Sequence, residues 1–369
     1  MNVPRLRFKD FTGEWEVKLL GEISQFLDGR RRPIKESDRS KMKGQYPYYG
    51  ASGIIDYVNN FIFDEDIILL GEDGENILSR NLPLAFKVSG KCWVNNHAHV
   101  IKPNHSTNID FLTQYLDNIS YVKYNSGTAQ PKLNQEVCRT IPLNLPCLSE
   151  QTKIANFLTA VDEKISQLTQ KCDLLKQYKK GVMQQIFSQK LRFKDDDGQE
   201  FPEWEELNFD DGFYLANNKK AQVKSSDYSE AGHTPVIDQG QKTIVGYTNN
   251  KYVYDDVPVI IFGDHTRILK WIDFKFAPGA DGTQVIKTTK RLILKFGYYY
   301  LCHIELPNLG YSRHMKEMKK QCSFAPASLK EQTKIANFLT AIDDKITQAQ
   351  TQLEAVKQYK KGLLQQLFV

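Results

Sequence analysis

The stretch EQTKIANFLTA stands at Glu150–Ala160 and again, letter for letter, at Glu331–Ala341. KQYKKGVMQQIF (Lys176–Phe187) likewise returns as KQYKKGLLQQLF (Lys357–Phe368) at the same offset and without a gap. A whole structural element is therefore duplicated. Its apolar positions run Ile154, Leu158, Val161, Ile165, Leu168, Cys172, Leu175, Val182 and Ile186, with Lys179 as the polar interruption. The second copy reads Ile335, Leu339, Ile342, Ile346, Ala349, Leu353, Val356, Leu363 and Leu367, with Lys360 in the place of Lys179. Alternating steps of four and three form a heptad seam. Each copy is predicted as a helix of about 38 residues, ~57 Å long at 1.5 Å per residue.

Neither seam can be buried alone. Its own copy, laid antiparallel, is the economical partner; two amphipathic helices, each packed on its own domain, are the alternative. Gly181 and Gly362 sit inside these helices, where glycine costs about 1 kcal/mol relative to alanine. Either the helices kink there or another backbone comes close; the favoured reading is a docking point for a second protein, framed by Tyr178, Lys180 and Gln185 and by Tyr359, Lys361 and Gln366.

The segments before the helices are diverged copies. LRFKDFTGEWE (Leu6–Glu16) matches LRFKDDDGQEFPEWE (Leu191–Glu205), and GIIDYVNN (Gly53–Asn60) matches TIVGYTNN (Thr243–Asn250). IILLGEDG (Ile67–Gly74) resembles VIIFGDHT (Val259–Thr266). Short β-branched and aromatic runs between Gly, Asn and Asp turns predict small mixed sheets, and NIDFLTQYLDNIS predicts a helix capped by Asn108. The expected fold is α+β. Domain 1–147 is followed by helix 148–189, domain 190–328 and helix 329–369, giving a pseudo-twofold internal repeat with two antiparallel coiled-coil helices as spacer.

Such a repeat suits duplex DNA, whose half-sites about one turn, ~34 to 36 Å, apart ask for two heads on a stiff spacer. The formal charge of +5 agrees but does not decide, since 49 basic residues face 44 acidic ones. Basic loops are the first contact candidates, because neutralising phosphate supplies most of the affinity. In the first head these are Arg30, Arg31, Arg32 and Lys35, with Asn125, Ser126, Gly127, Thr128, Gln130 and Lys132 in a polar turn. In the second head they are Lys219, Lys220 and Lys224, then His265 and Arg267, and then Ser312, Arg313, His314 and Lys316. The shared Gly127 and Gly310 predict turns at equivalent places. The acidic GEDGEN (Gly71–Asn76) either reads cytosine or is an ordinary exposed turn.

Catalytic motifs are missing. There is no N-P-P-Y or D-P-P-Y, no Gly-rich cofactor turn and no G-x-x-x-x-G-K-[ST] loop. Asp162-Glu163-Lys164 and Asp343-Asp344-Lys345 flank the seam and are read as solvated helix faces rather than a nuclease site. His97 and His99 share one face of a possible strand, but Gly282 and Gln284 take their places in the second head, so no metal site is assigned. The six cysteines form no C-x-x-C pair, and no apolar run approaches the roughly 18 residues of a membrane span, so a reduced, cytoplasmic protein is expected.

The LRF-x-x-x-x-x-x-W-E opening, the twice-used EQ-x-x-IA-x-FL-x-x-x-D-x-x-I helix start and the Gln177–Phe187 ending together resemble the specificity subunits of type I restriction-modification systems. The resemblance covers nearly the whole chain. It implies a non-catalytic subunit whose two target recognition domains read an asymmetric, interrupted DNA site. It also implies two modification subunits that methylate adenine from S-adenosylmethionine, and motor-nuclease restriction subunits using ATP and Mg²⁺, with no cofactor in this chain. The family's S/N-x-G turn is matched at Asn125–Gln130 and loosely at Asn308–Arg313. A stand-alone DNA-binding protein and a nuclease hidden in one head are the alternative classes. Tight sequence-specific binding without partners would favour the former, and metal-dependent cleavage without added subunits the latter.

Overall fold

The computed structural model describes residues 3–127, 129–279, 282–310 and 312–368. Two long helices, Leu148–Phe187 and Leu329–Leu367, follow the duplicated segments. The chain divides into two compact units, and the division falls inside these helices. One unit joins Met1–Thr169 to Thr351–Val369, and the other is Gln170–Gln350. Each unit thus holds the opening half of one helix and the closing half of the other.

Within the first unit, Ile154, Leu158 and Val161 share a core with Leu363, Leu367 and Phe368, so the seams meet in antiparallel order. The same core takes Trp15, Phe111, Tyr115 and Leu116 from the head, and the Phe368 ring stacks on Tyr115 at 4.7 Å. In the second unit Val182, Met183 and Ile186 pack with Ile335, Leu339, Ile342 and Ile346, and with Trp204, Phe296 and Tyr300 of the head. Leu168 and Leu353 are buried, whereas Ile165, Leu175 and Val356 are partly covered. Both packing readings of the sequence therefore hold together: each helix start lies on its own head and on the end of its copy.

Why the repeat is spelled so strictly follows from its polar residues. Glu150 is almost fully buried and receives Arg7 as a two-pronged pair, with both N–O distances 2.7 Å. Glu331 receives Arg192 at 3.3 and 3.1 Å and also the Trp204 indole N–H at 3.3 Å. The next residue repeats the pattern. Gln151 accepts from the Asn108 amide and donates to the Ser106 and Pro146 carbonyls, as Gln332 accepts from the Ile293 amide and donates to those of Arg291 and Pro326. Phe8 and Phe193 of the two LRF openings stand edge-on to Phe157 and Phe338. Each copy of the helix start is a socket for its own head's opening arm, and the buried Glu and Gln side chains there are paired, because an unpartnered buried polar group is costly.

The polar interruptions of the seam cross between helices. Lys360 Nζ lies 2.7 Å from Asp162, and Lys179 Nζ lies 2.6 Å from Asp343. Asp162 also accepts from Gln114, and Asp343 from the Tyr299 hydroxyl. This corrects the reading as solvated faces for Asp162 and Asp343, whose lysine partners lie more than 160 positions away in the chain, beyond the reach of helical spacing rules, while Glu163, Lys164, Asp344 and Lys345 are exposed as expected. A lone polar residue in an apolar seam penalises registers that leave it unpaired.

The heads repeat one plan. A four-stranded antiparallel sheet in the first unit has the order Ser24–Phe26, Ala98–Pro103, Ile67–Gly71, Ala85–Val88. Its counterpart in the second runs Phe213–Leu215, Thr283–Thr288, Val259–Gly263, Leu269–Ile272. A second sheet with one parallel pairing lies in each head, four-stranded in the first and three-stranded in the second, joining Tyr48 to Trp93 and Val236 to Ala277. Ile67–Gly71 and Val259–Gly263 are buried at every residue, as central strands covered on both faces should be. Helices Ile109–Asn118 and Leu294–His303 connect the sheets to the long helices, and Asn108 caps the first by accepting from the Phe111 amide.

Glu331→Ala should cost about 3–5 kcal/mol by stranding Arg192 beside a buried indole N–H, measured by urea unfolding; an unchanged midpoint would refute the socket role. Reversing Lys179 to aspartate should cost about 1–2 kcal/mol, and adding Asp343→Lys should restore most of it. A swap no more stable than the single reversal would rule out the direct pair.

Candidate nucleic-acid interface

In the first unit four loops meet at the end of the central strand Ile67–Gly71. A Cβ on Gly71 would come within 2.9 Å of the Ala51 carbonyl oxygen, so the strand ends on glycine because neighbouring backbone crowds it. The next residue, Glu72, ties the loops together. Its amide donates to the His97 carbonyl and its carbonyl accepts from the Leu133 amide, at 2.9 and 2.7 Å. Its carboxylate lies 2.6 Å from Arg31, 3.5 Å from Lys132 and 3.7 Å from His99. Asp28 completes the set, accepting from the Val100 amide and lying 2.6 Å from His99 and 3.3 Å from Arg31.

The second unit builds the same joint with other side chains. A Cβ on Gly263 would lie 2.8 Å from the Gln239 carbonyl oxygen. Asp264 then donates its amide to the Gly282 carbonyl and accepts the His314 amide, at 2.7 and 2.8 Å, while its carboxylate accepts the Met315 amide. Asn217 stands where Asp28 stood: its Oδ1 accepts the Val285 amide and its Nδ2 donates to Gln284 at 2.7 Å. Gln284 takes the register position of His99, opposite Phe262 as His99 is opposite Leu70. Equivalent backbone thus carries a charged set in one head and an amide set in the other.

A family model described as type I restriction modification DNA specificity domain matches residues 12–177 and 202–358. The chain belongs to that family. A putative type I restriction enzyme specificity subunit of Haemophilus influenzae is 36% identical over 148 residues, 40% of this chain and 37% of the relative. The putative MjaX specificity subunit of Methanocaldococcus jannaschii is 26% identical over 277 residues, 69% of this chain and 65% of that one. The chain therefore spans from 37% to 65% of the length of these curated relatives. Among solved structures, the type I S subunit from M. genitalium has a TM-score of 0.69 at 14% identity, covering 100% of this chain and 99% of its own. That likeness is one of fold.

Set on the two specificity domains, the sequence candidates separate. Arg30, Arg32, Lys35, Ser126, Gln130 and Lys132 are exposed in the first, as are Lys219, Lys220, Lys224, Arg267, Ser312, Arg313 and Lys316 in the second. Asn125 accepts from the Gly127 and Lys132 amides and so shapes the turn from within. Thr128 lies outside the described residues. Gly127 is needed because a Cβ would run into the Gln130 carbonyl, and Gly310 because its φ of +66° is left-handed. His265 is half-buried, its amide donating to Gln239.

Two expectations are corrected. His314 does not face outward: it is 0% exposed, with Nδ1 3.0 Å from the Asp264 carbonyl oxygen and Nε2 accepting the Leu309 amide. Arg31 points inward as well, its side chain 14% exposed and held by Asp28, Glu72 and the Ala98 carbonyl. Glu72 and Asp264, which hold the loops, were not singled out as anchors from the sequence. The available signal was an acid directly after the glycine that ends an all-apolar strand, in both copies.

Asp28, Glu72 and His99 bring three ligand-type atoms within 4.8 Å of one another. Arg31 already pairs with both acids, and the second His99 nitrogen lies 2.9 Å from the Leu133 carbonyl oxygen. The group reads as a self-neutralised ion network. Burial disfavours the charged His99 imidazole, but the Asp28 carboxylate, with Cys138 nearby, more than offsets it and pushes its pKa up to about 10. On the long helices, Tyr178, Lys180 and Gln185, and likewise Tyr359, Lys361 and Gln366, are exposed. A Cβ on Gly181 or Gly362 would meet no atom within 4 Å, so no close approach within the described chain explains either glycine. Among the described residues no helix is long and apolar enough to cross a membrane.

With Asp28, Glu72, Arg31 and Cys138 around it, charged His99 should stabilise the first unit fully below its unfolded pKa near 6.5, and that stabilisation should fade as pH rises through about 10. Asp28→Asn with His99→Gln, which installs the second unit's pair, should flatten this alkaline loss in melting temperature against pH. An identical alkaline slope in the double variant would exclude His99 as its source.

Proposed function

We propose that this chain is the non-catalytic DNA-reading subunit of a type I restriction-modification complex, each specificity domain reading one half of a bipartite, asymmetric target. One observation carries the reading: the same glycine-acid joint gathers the same loops in both domains, while the side chains set in it differ. Asp28, Glu72 and His99 are replaced by Asn217, Asp264 and Gln284. With most of the joint bonded internally, reading falls to the unlike side chains that the gathered loops expose, Arg30, Arg32, Ser126 and Gln130 in one domain and Lys219, Arg267, Ser312 and Arg313 in the other, since base edges are told apart by their donor and acceptor patterns. The exposed cations around each joint suit phosphate, which positions a reader without informing it. Fold alone would not carry this conclusion.

In this reading two modification subunits dock on the matched exposed helix faces around Tyr178–Gly181 and Tyr359–Gly362. They hold S-adenosylmethionine, and motor-nuclease subunits bring ATP and Mg²⁺ chemistry, all outside this chain and in the cytoplasm.

Co-expression with the cognate methyltransferase, followed by genome-wide mapping of modified adenine, should give a motif of two unlike halves separated by an unspecified spacer. Lys219→Ala with Arg313→Ala should weaken modification at such sites. A single uninterrupted motif, or modification independent of this chain, would overturn the proposal.

A further inference from the structure

The two specificity domains differ in how their cations are balanced. In the second unit Lys219, Lys220, Lys224, Arg267, Arg313 and Lys316 are exposed, and among the described residues none stands in an ion pair. That head's ion pairs fall on Arg192, Lys194, Lys270, Lys287, Arg291, Lys319 and Lys320 instead. The acid at the joint, Asp264, is 2% exposed and turned onto the Met315 amide, so it offers nothing to these cations.

Their loops converge on one end of the central strand. Asn217 reaches Gln284 just before Lys219, the Thr266 hydroxyl donates to the Gln239 carbonyl beside Arg267, and the His314 amide is pinned to Asp264 beside Arg313.

The first unit is the reverse case. Arg30 lies 2.6 Å from Glu65, Arg31 is held by Asp28 and Glu72, and Lys132 lies 3.5 Å from Glu72. Of the cations singled out there, only Arg32 and Lys35 stand outside ion pairs. In GRRRPIK, the densest basic run in the sequence, two of the four cations are thus neutralised by acids that folding brings to it.

We infer that the second specificity domain supplies most of the electrostatic grip on the DNA backbone, while the first, balanced from within, contributes mainly discrimination. This rests on the DNA-reading proposal above and goes further, because it assigns unequal duties to two copies of one fold. Each phosphate neutralised by a free cation releases counterions and steepens the fall of log K with log salt by about 0.9, whereas a cation already paired to a carboxylate releases fewer. Six free cations against two therefore correspond to contributions of roughly 5 and roughly 2 to that slope.

The test uses the full chain and a fluorescein-labelled duplex of about thirty base pairs of arbitrary sequence, with anisotropy read across a potassium chloride series. Lys219→Gln with Lys220→Gln should lower the slope by about 1.8, and Arg30→Gln with Lys132→Gln by less than about 0.5. All four positions are exposed, and thermal melts check that both variants fold. Equal losses, or a larger loss from the first-unit pair, would overturn the division while leaving DNA binding standing. A folded wild-type chain whose binding does not respond to salt would remove the DNA reading itself, and the division with it.

Discussion

Everything in this molecule is built around a reciprocal exchange of helix ends. Asp162 waits on the opening half of one long helix for Lys360 from the closing half of the other, and Asp343 waits for Lys179 in the same way. Because the lysines are the polar positions of otherwise apolar seams, a slipped register would leave part-buried charges without their partners, at a cost of about 1–2 kcal/mol for each pair. Leucine and isoleucine supply the cohesion and the lysines choose the alignment. Glu150 and Glu331 extend the principle to the heads, since each fixes an arginine of its own opening arm.

On that frame the heads were free to diverge where they face outward and held where they join. Glu72 and Asp264 make the same two backbone bonds at the end of the same strand, which keeps the loops gathered however their side chains change. Around the joint the chemistry separates: the first unit settled on paired charges, the second on amides with unpaired cations at the rim. The two solutions differ in solvation as well as in sign. A buried ion network is rigid and exposes little charge, while an amide pair is neutral and leaves neighbouring lysines to the solvent.

Local and periodic features were legible in the sequence: the long helices, their antiparallel partnership, the Asn108 cap, the mixed sheets and the glycine turns at Gly127 and Gly310. Features that depend on distant partners were not. Arg31 reads as part of an exposed basic run until Glu72, 41 positions away, is brought beside it. His314 reads as the outward neighbour of Arg313, yet Arg313 is exposed while the histidine turns in to Asp264. A charge count along a loop sees only the loop, and the acids that cancel it lie on other strands.

The first compact unit joins two stretches that lie far apart in the chain: Leu363, Leu367 and Phe368 complete a core begun by Trp15, Phe111 and Ile154, and the Leu6 amide donates to the Gln366 carbonyl. Synthesis runs from one terminus to the other, and early domains ordinarily fold while later ones are still being made. Here the earlier stretch lacks Leu363, Leu367 and Phe368 until the whole second unit has been made. The second unit has all its residues on the ribosome first, so the nascent chain must finish its middle before it can close its beginning.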